Sequence, residues 1–225
     1  MTVRGNKSYG INALRDFVDG FSPASVAHPV LIGTNACSAL AELGTKSKKG
    51  DWQSIERLLQ AQSDLQSRDM LIESLTRAIT GRPSWLDAWV QQRPTDYLPL
   101  LFRGYQAVTW AWEARGNKRA QHTSRKRFDG FFERLRTAQV DLEEAARRAP
   151  DRDAGALAFQ ITLARGLQYP KPDLLALYEK VQQRSPNHPV AVWAMIQGMA
   201  PKWGGTLPAM FSVAREAAVK SQDVV

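Results

Sequence analysis

Residues 124–149 read SRKRFDGFFERLRTAQVDLEEAARRA, and the spacing of their apolar side chains decides the fold. Phe128, Phe131, Phe132, Leu135, Ala138, Leu142, Ala145 and Ala146 recur at intervals of three and four, interrupted only by adjacent pairs. That spacing lays one apolar stripe along one face of a long helix and leaves Arg134, Arg136, Glu143 and Arg147 outside it. A stripe of this kind needs a covering neighbour. The rest of the chain is therefore read for helices that supply one.

Upstream, residues 95–114 (TDYLPLLFRGYQAVTWAWEA) are apolar on nearly every side, which predicts a central, enclosed helix. Arg115-Gly116-Asn117 ends it with a cation in the last turn and a glycine able to take a positive φ. Asp51 is a good N-cap for WQSIERLLQ, and Gly81-Arg82-Pro83 separates two further helices, the second carrying Trp85, Leu86 and Trp89. Downstream, Pro150, Pro170, Pro186 and Pro201 divide the chain into stretches that each hold one helix with its loop. Thr206 with Pro208 two residues on marks the start of the last helix. No run alternates with period two for long enough to argue a strand. The prediction is an all-α protein of about ten helices.

Two segments end alike, at Ala149-Pro150-Asp151 and Ser185-Pro186-Asn187. Counting back from each proline places Ala138, Leu142 and Ala145 against Leu174, Tyr178 and Val181. This is the second-helix pattern of a tetratricopeptide unit, whose period is about 34 residues. The first-helix pattern does not follow, because Ala158, Ile161, Thr162 and Arg165 do not supply its small and aromatic positions. A degenerate array of helical hairpins, an α-solenoid, is the architecture expected. Residues 46–225 form it as a single domain, and residues 1–45 are an N-terminal cap or linker.

Four strings carry a resemblance: Tyr97-Leu98-Pro99-Leu100, Trp110-Ala111-Trp112-Glu113-Ala114-Arg115-Gly116, Phe131-Phe132-Glu133-Arg134-Leu135 and Pro201-Lys202-Trp203-Gly204-Gly205. Together they resemble a bacterial tetratricopeptide-like family of unknown function, over roughly residues 50–217. The resemblance implies a helical-repeat fold and a bacterial origin. It brings no activity, cofactor or catalytic residue.

An apolar share of 44% and a charged share of 23% over 225 residues exclude a disordered chain and a membrane bundle. The first residues have no apolar stretch behind their cations, and Val30 to Leu43 is too short and too polar to cross a bilayer. One cysteine, Cys37, allows no internal disulfide and no thiolate cage. A cytoplasmic protein is expected. The net charge of +8 is uneven, because Arg115, Lys118, Arg119, Arg125, Lys126 and Arg127 fall within thirteen residues that hold no acid. A local cluster of this kind attracts anionic partners.

Catalytic constellations are not legible. His28, His122 and His188 are too scattered for a metal motif, and the His-Pro pairs at 28 and 188 mark turns before helices. Gly5-Asn6-Lys7-Ser8 and Gly44-Thr45-Lys46-Ser47 lack the glycines of a phosphate loop. Glu143 and Glu144 point apart on a solvent face. Trp85, Trp89, Trp110 and Trp112 read as fillers of helix seams, and Trp203 with Lys202 as a plug of the last hairpin that can also contact a ligand. No catalytic, cofactor or metal site is expected, and no membrane. The function expected is a protein-interaction scaffold. The alternative is nucleic-acid binding by its phosphates through the basic segment 115–127.

Overall fold

A computed structural model describes residues 50–116 and 120–222, with side chains through residue 220. Lys118, Arg119, Cys37, His28 and the N-terminal segment 1–45 lie outside the described residues. The chain divides into two units, Met1–Ala41 and Glu42–Val225, and the second holds everything described below.

The described residues form nine α-helices and no strand: α1 (Trp52–Gln60), α2 (Leu65–Ala78), α3 (Trp85–Gln92), α4 (Leu98–Arg115), α5 (Arg125–Arg148), α6 (Gly155–Gly166), α7 (Lys171–Arg184), α8 (Pro189–Gly198) and α9 (Leu207–Gln222). Short 3-10 turns at Ala120–His122 and Pro201–Trp203 precede α5 and α9. Among these helices, none is long and apolar enough to cross a membrane. The expected all-α architecture is what forms.

Helix ends follow local chemistry. Asp51 caps α1 by accepting from Ser54 N–H at 3.1 Å, and Asp64 caps α2 from Ser67 N–H at 2.8 Å. Gly116 ends α4 at φ +71°, a value that L side chains adopt only with strain. Thr206 Oγ1 accepts from Ala209 N–H at 3.2 Å at the start of α9.

α4 is the centre of the domain. Eleven of its residues are buried, and it packs against α2, α3, α5 and α6. Its longest seam is with α5, whose stripe residues Phe131, Leu135, Ala138, Leu142 and Ala145 are all at most 2% exposed. Gly104 lets the two helices approach closely at Leu142. Arg103 clasps the same seam, bonding Asp141 at 2.7 Å and Asp87 of α3 at 2.9 Å. The matching positions of α7, Leu174, Tyr178 and Val181, are buried as well. Both halves of the sequence correspondence thus fall on core faces.

Further along, α6 packs on α4, α5 and α7, and α8 on α6, α7 and α9. Tyr105 of α4 stacks on Phe159 of α6 with ring centroids 3.9 Å apart. α1 adds Trp52, which stacks on Trp89 at 5.8 Å; Trp89 Nε1–H donates to the buried Glu56 at 3.1 Å. Trp85 and Trp89 do fill helix seams.

One helix does not pair in chain order. α2 lies against α4, α6 and α8 together, on the face these three helices share. Arg68, Asp69, Leu71, Ile72, Leu75 and Thr76 form its buried side. The concave face of a hairpin array, formed by the first helix of each pair, is where a partner is expected to bind. Here the chain's own α2 covers the face that α4, α6 and α8 share.

Candidate functional site

Two polar arrangements stand out against this apolar frame. The first is closed. Arg68 bonds Asp69 at 2.7 Å and Asp153 at 2.8 Å, Tyr97 O–H donates to Asp153 at 2.6 Å, and His188 Nε2 stands 3.1 Å from Asp69. Arg68, Asp69, Asp153 and His188 are each at most 5% exposed, and none of them lines the open cleft described next. Burial alone would push the Asp153 carboxyl up, but the Arg68 guanidinium and the Tyr97 and Gly155 donors hold it below the usual carboxylate range. Burial and the Asp153 bond push the Tyr97 phenol up to about 12. The network ties α2 to the chain entering α6 and α8. It offers a solute no way in.

The second arrangement is open. Where the C-terminal ends of α4, α6 and α8 meet the start of α5, a cleft of about 1030 Å³ is left unfilled. α4 supplies Trp112 and Arg115, and α5 supplies Phe128 and Phe131. The end of α6 contributes Arg165, and the turn into α7 brings Tyr169 and Lys171. The 3-10 turn before α9 closes the rim with Lys202 and Trp203. Four cations line this cleft, and no carboxylate does so among the described residues.

Local sequence explains why these side chains converge. Arg115 and Arg165 sit in the last turns of α4 and α6, where the helix dipole favours a cation by about 0.3–1 kcal/mol. Gly205 allows the chain to fold back over Met199, whose carbonyl oxygen would lie 2.0 Å from a Cβ at that position. That tight return carries Lys202 and Trp203 onto the ends of the other helices. Trp203 packs edge-on to Trp112 with centroids 5.5 Å apart, and Trp112 edge-on to Phe131 at 4.8 Å.

The guanidiniums line the same aromatic wall. Arg115 stands 5.7 Å from the Trp112 ring centroid and 5.8 Å from that of Trp203, and Arg165 stands 5.4 and 5.6 Å from the same two rings. Cation–π attraction of this kind is worth roughly 0.5–2 kcal/mol, depending on desolvation. It does not satisfy the N–H donors. Arg165 Nε and Trp112 Nε1 are both buried with no hydrogen-bond acceptor. Burial lowers the basicity of Arg165 to about 10, with the nearby Arg77 adding to the effect and Tyr105 opposing it. Burial, then Arg165, also lowers Lys171, whose Nζ donates to the Gly198 carbonyl at 2.8 Å.

Of the residues singled out in sequence, Arg115, Lys202 and Trp203 come together in this cleft. Arg125, Lys126 and Arg127 do not line it. They form the exposed first turn of α5, with Arg127 reaching back to the Ala114 carbonyl at 3.5 Å. Trp112, read from sequence as a seam filler, packs on Phe131 of α5 and lines the cleft as well, whereas sequence reasoning missed Arg165 and Lys171 as site residues. Arg165 had a visible signal, as a lone cation inside the apolar run GALAFQITLARG. No cluster of three or more metal-ligating side chains occurs among the described residues. Comparison with family models, with curated proteins and with solved structures returns no match to this chain.

Proposed function

We propose that this protein is a non-catalytic interaction module, a tetratricopeptide-like helical scaffold working in the cytoplasm, which holds a protein partner through an acidic segment. The contact is made in the cleft at the ends of α4, α6 and α8 rather than on the face covered by α2. One observation carries this reading: the half-buried Arg165 lines the cleft with no carboxylate beside it among the described residues, and its buried Nε–H has no acceptor. A buried donor without an acceptor costs roughly 1–3 kcal/mol, more when it is charged. The helix dipole returns less than that. An anionic side chain seated in the cleft is the acceptor that this reading supplies. The resemblance of the WAWEARG and PKWGG blocks to a bacterial tetratricopeptide-like family agrees with a scaffold role.

The test uses the wild type and an Arg115→Gln/Lys202→Gln variant as parallel baits in nuclease-treated extract of the native host. A partner held by the wild type and lost by the variant supports the reading. A partner held equally by both contradicts it.

A second reading has its own observation. α5 begins at Arg125, so three cations occupy its first turn with no acid among them. Cations there oppose the helix dipole, and nucleic-acid phosphates would relieve the repulsion. On this reading, binding of a 30-mer oligonucleotide collapses between about 50 and 200 mM salt. It is lost on changing Arg125, Lys126 and Arg127 to Gln. Binding that survives that change refutes it.

A further inference from the structure

The cleft is more specific than a general acidic site. Resting on the reading that this cleft is the contact site, we propose that its ligand is a phosphate monoester carried close to a planar ring, with the phosphate between Arg115 and Arg165 and the ring on the Trp112–Trp203 wall.

Charge count is the first argument. Beside Arg115, the cleft is lined by Arg165, Lys171 and Lys202 and by no carboxylate among the described residues, so three cations besides Arg115 enter the count. A single carboxylate neutralises one of them. A phosphate monoester brings close to two negative charges at pH 7 and three acceptor oxygens.

Donor geometry is the second. The two guanidiniums approach from different helices onto the same pair of rings. The orphaned Trp112 Nε1–H and Arg165 Nε–H lie in the same wall. A planar carboxylate pairs edge to edge with one guanidinium, whereas a tetrahedral group can accept from several directions at once.

Size and lining supply the third. About 1030 Å³ is far more than a free phosphate fills, and it reaches the upper end of small-ligand sites. The remaining wall is aromatic, with Phe128, Tyr169 and Trp203 available to a flat group. Two sources offer this chemistry: a phosphotyrosine of a partner protein, and a free nucleoside monophosphate.

Calorimetric titration of the full chain tests this, with phenyl phosphate, benzoate, AMP, a phosphotyrosyl peptide and an Asp/Glu decapeptide as probes. Phenyl phosphate should bind at least tenfold tighter than benzoate at pH 7.5. Its affinity should fall between pH 7.5 and 5, as the phosphate takes up its second proton near pH 6. The titratable groups lining the cleft are Arg115, Arg165, Lys171, Tyr169 and Lys202. Lys202→Gln, an exposed change that leaves the core intact, should weaken phenyl phosphate severalfold, and Arg165→Met should abolish its binding. Tighter binding of the peptide or of AMP identifies the source, and either result supports the proposal. Benzoate binding as tightly as phenyl phosphate overturns it. If the acidic decapeptide still binds and loses affinity in Lys202→Gln, the acidic-partner reading survives that outcome. If neither class of probe binds, both fall.

Discussion

His188 Nε2 stands 3.1 Å from Asp69 Oδ2, across 119 residues of sequence and with both side chains closed to solvent. The other oxygen of Asp69 accepts from Arg68, and Arg68 passes on to Asp153, just ahead of α6. One carboxylate thus fixes α2 to the N-terminal ends of α6 and α8. Apolar burial along Leu71, Ile72 and Leu75 supplies most of the attraction, and the polar network sets the register.

Removing either carboxylate leaves Arg68 buried with one counter-charge in place of two and takes the partner from Tyr97 or His188. Asp69→Ala or Asp153→Ala should cost about 3–5 kcal/mol. The midpoint of urea denaturation should drop while the slope stays constant. Replacing Arg68, Asp69 and Asp153 together by Met, Asn and Asn should cost less than the sum of the single changes, because no charge is then left alone. Additive losses would contradict a coupled network.

Acid sensitivity follows from the same residues. Asp153 ionises more readily folded than unfolded, so the native state binds fewer protons there. Its contribution is complete above the unfolded carboxylate value of 3.8 and is lost as the pH falls through the lower folded value. Asp153→Asn should flatten the fall in stability below about pH 4, where the unfolded carboxylate begins to take up its proton. Unfolding curves of wild type and variant between pH 5 and 2.5 check this. Parallel curves would refute it.

Three glycines should respond with opposite signs. A Cβ on Gly155 would lie 2.4 Å from Asp69 Oδ2, and one on Gly205 would lie 2.0 Å from the Met199 carbonyl oxygen. Each alanine should destabilise by about 2–4 kcal/mol, because a buried ion pair and a backbone turn cannot shift freely. Gly130, inside α5, has nothing within 4 Å of its Cβ position. Gly130→Ala should stabilise by about 0.5–1 kcal/mol. Thermal melts of the three variants separate the cases.

Much of this was legible in the chain because period and punctuation are local. The stripe from Phe131 to Ala145 predicts α5 and the face it buries, and Asp51 and Thr206 announce helix starts through their own side chains. The Ala138/Leu142/Ala145 and Leu174/Tyr178/Val181 correspondence falls on two core faces. What stayed hidden is non-local. Nothing in residues 65–78 says that they leave chain order to cover α4, α6 and α8. His188 reads as a turn marker, and its bond to Asp69 is fixed only by tertiary packing. The basic segment stands out as a run, yet of its described residues the structure carries only Arg115 into the cleft. Arg165 and Lys171 join from elsewhere, because the helix ends converge in space.

Arg165 should show opposite effects on stability and on binding. Arg165→Met keeps the aliphatic bulk and removes a buried Nε–H that lacks an acceptor, so the melting temperature should stay level or rise. Anion binding should be lost. A variant that loses stability and binding together would mark Arg165 as a structural residue only.

The location of the anion site is tested most directly by the indole N–H resonances of the seven tryptophans in a 15N-labelled sample titrated with phenyl phosphate. Single Trp→Phe changes assign the peaks. The Trp112 and Trp203 resonances should move in a saturable way, with Trp112 shifting downfield as its Nε1–H gains an acceptor. Trp52, Trp85 and Trp89, in the seams of α1 and α3, should stay still. Unmoved Trp112 and Trp203 peaks at saturating ligand would contradict the central claim that this cleft is the binding site.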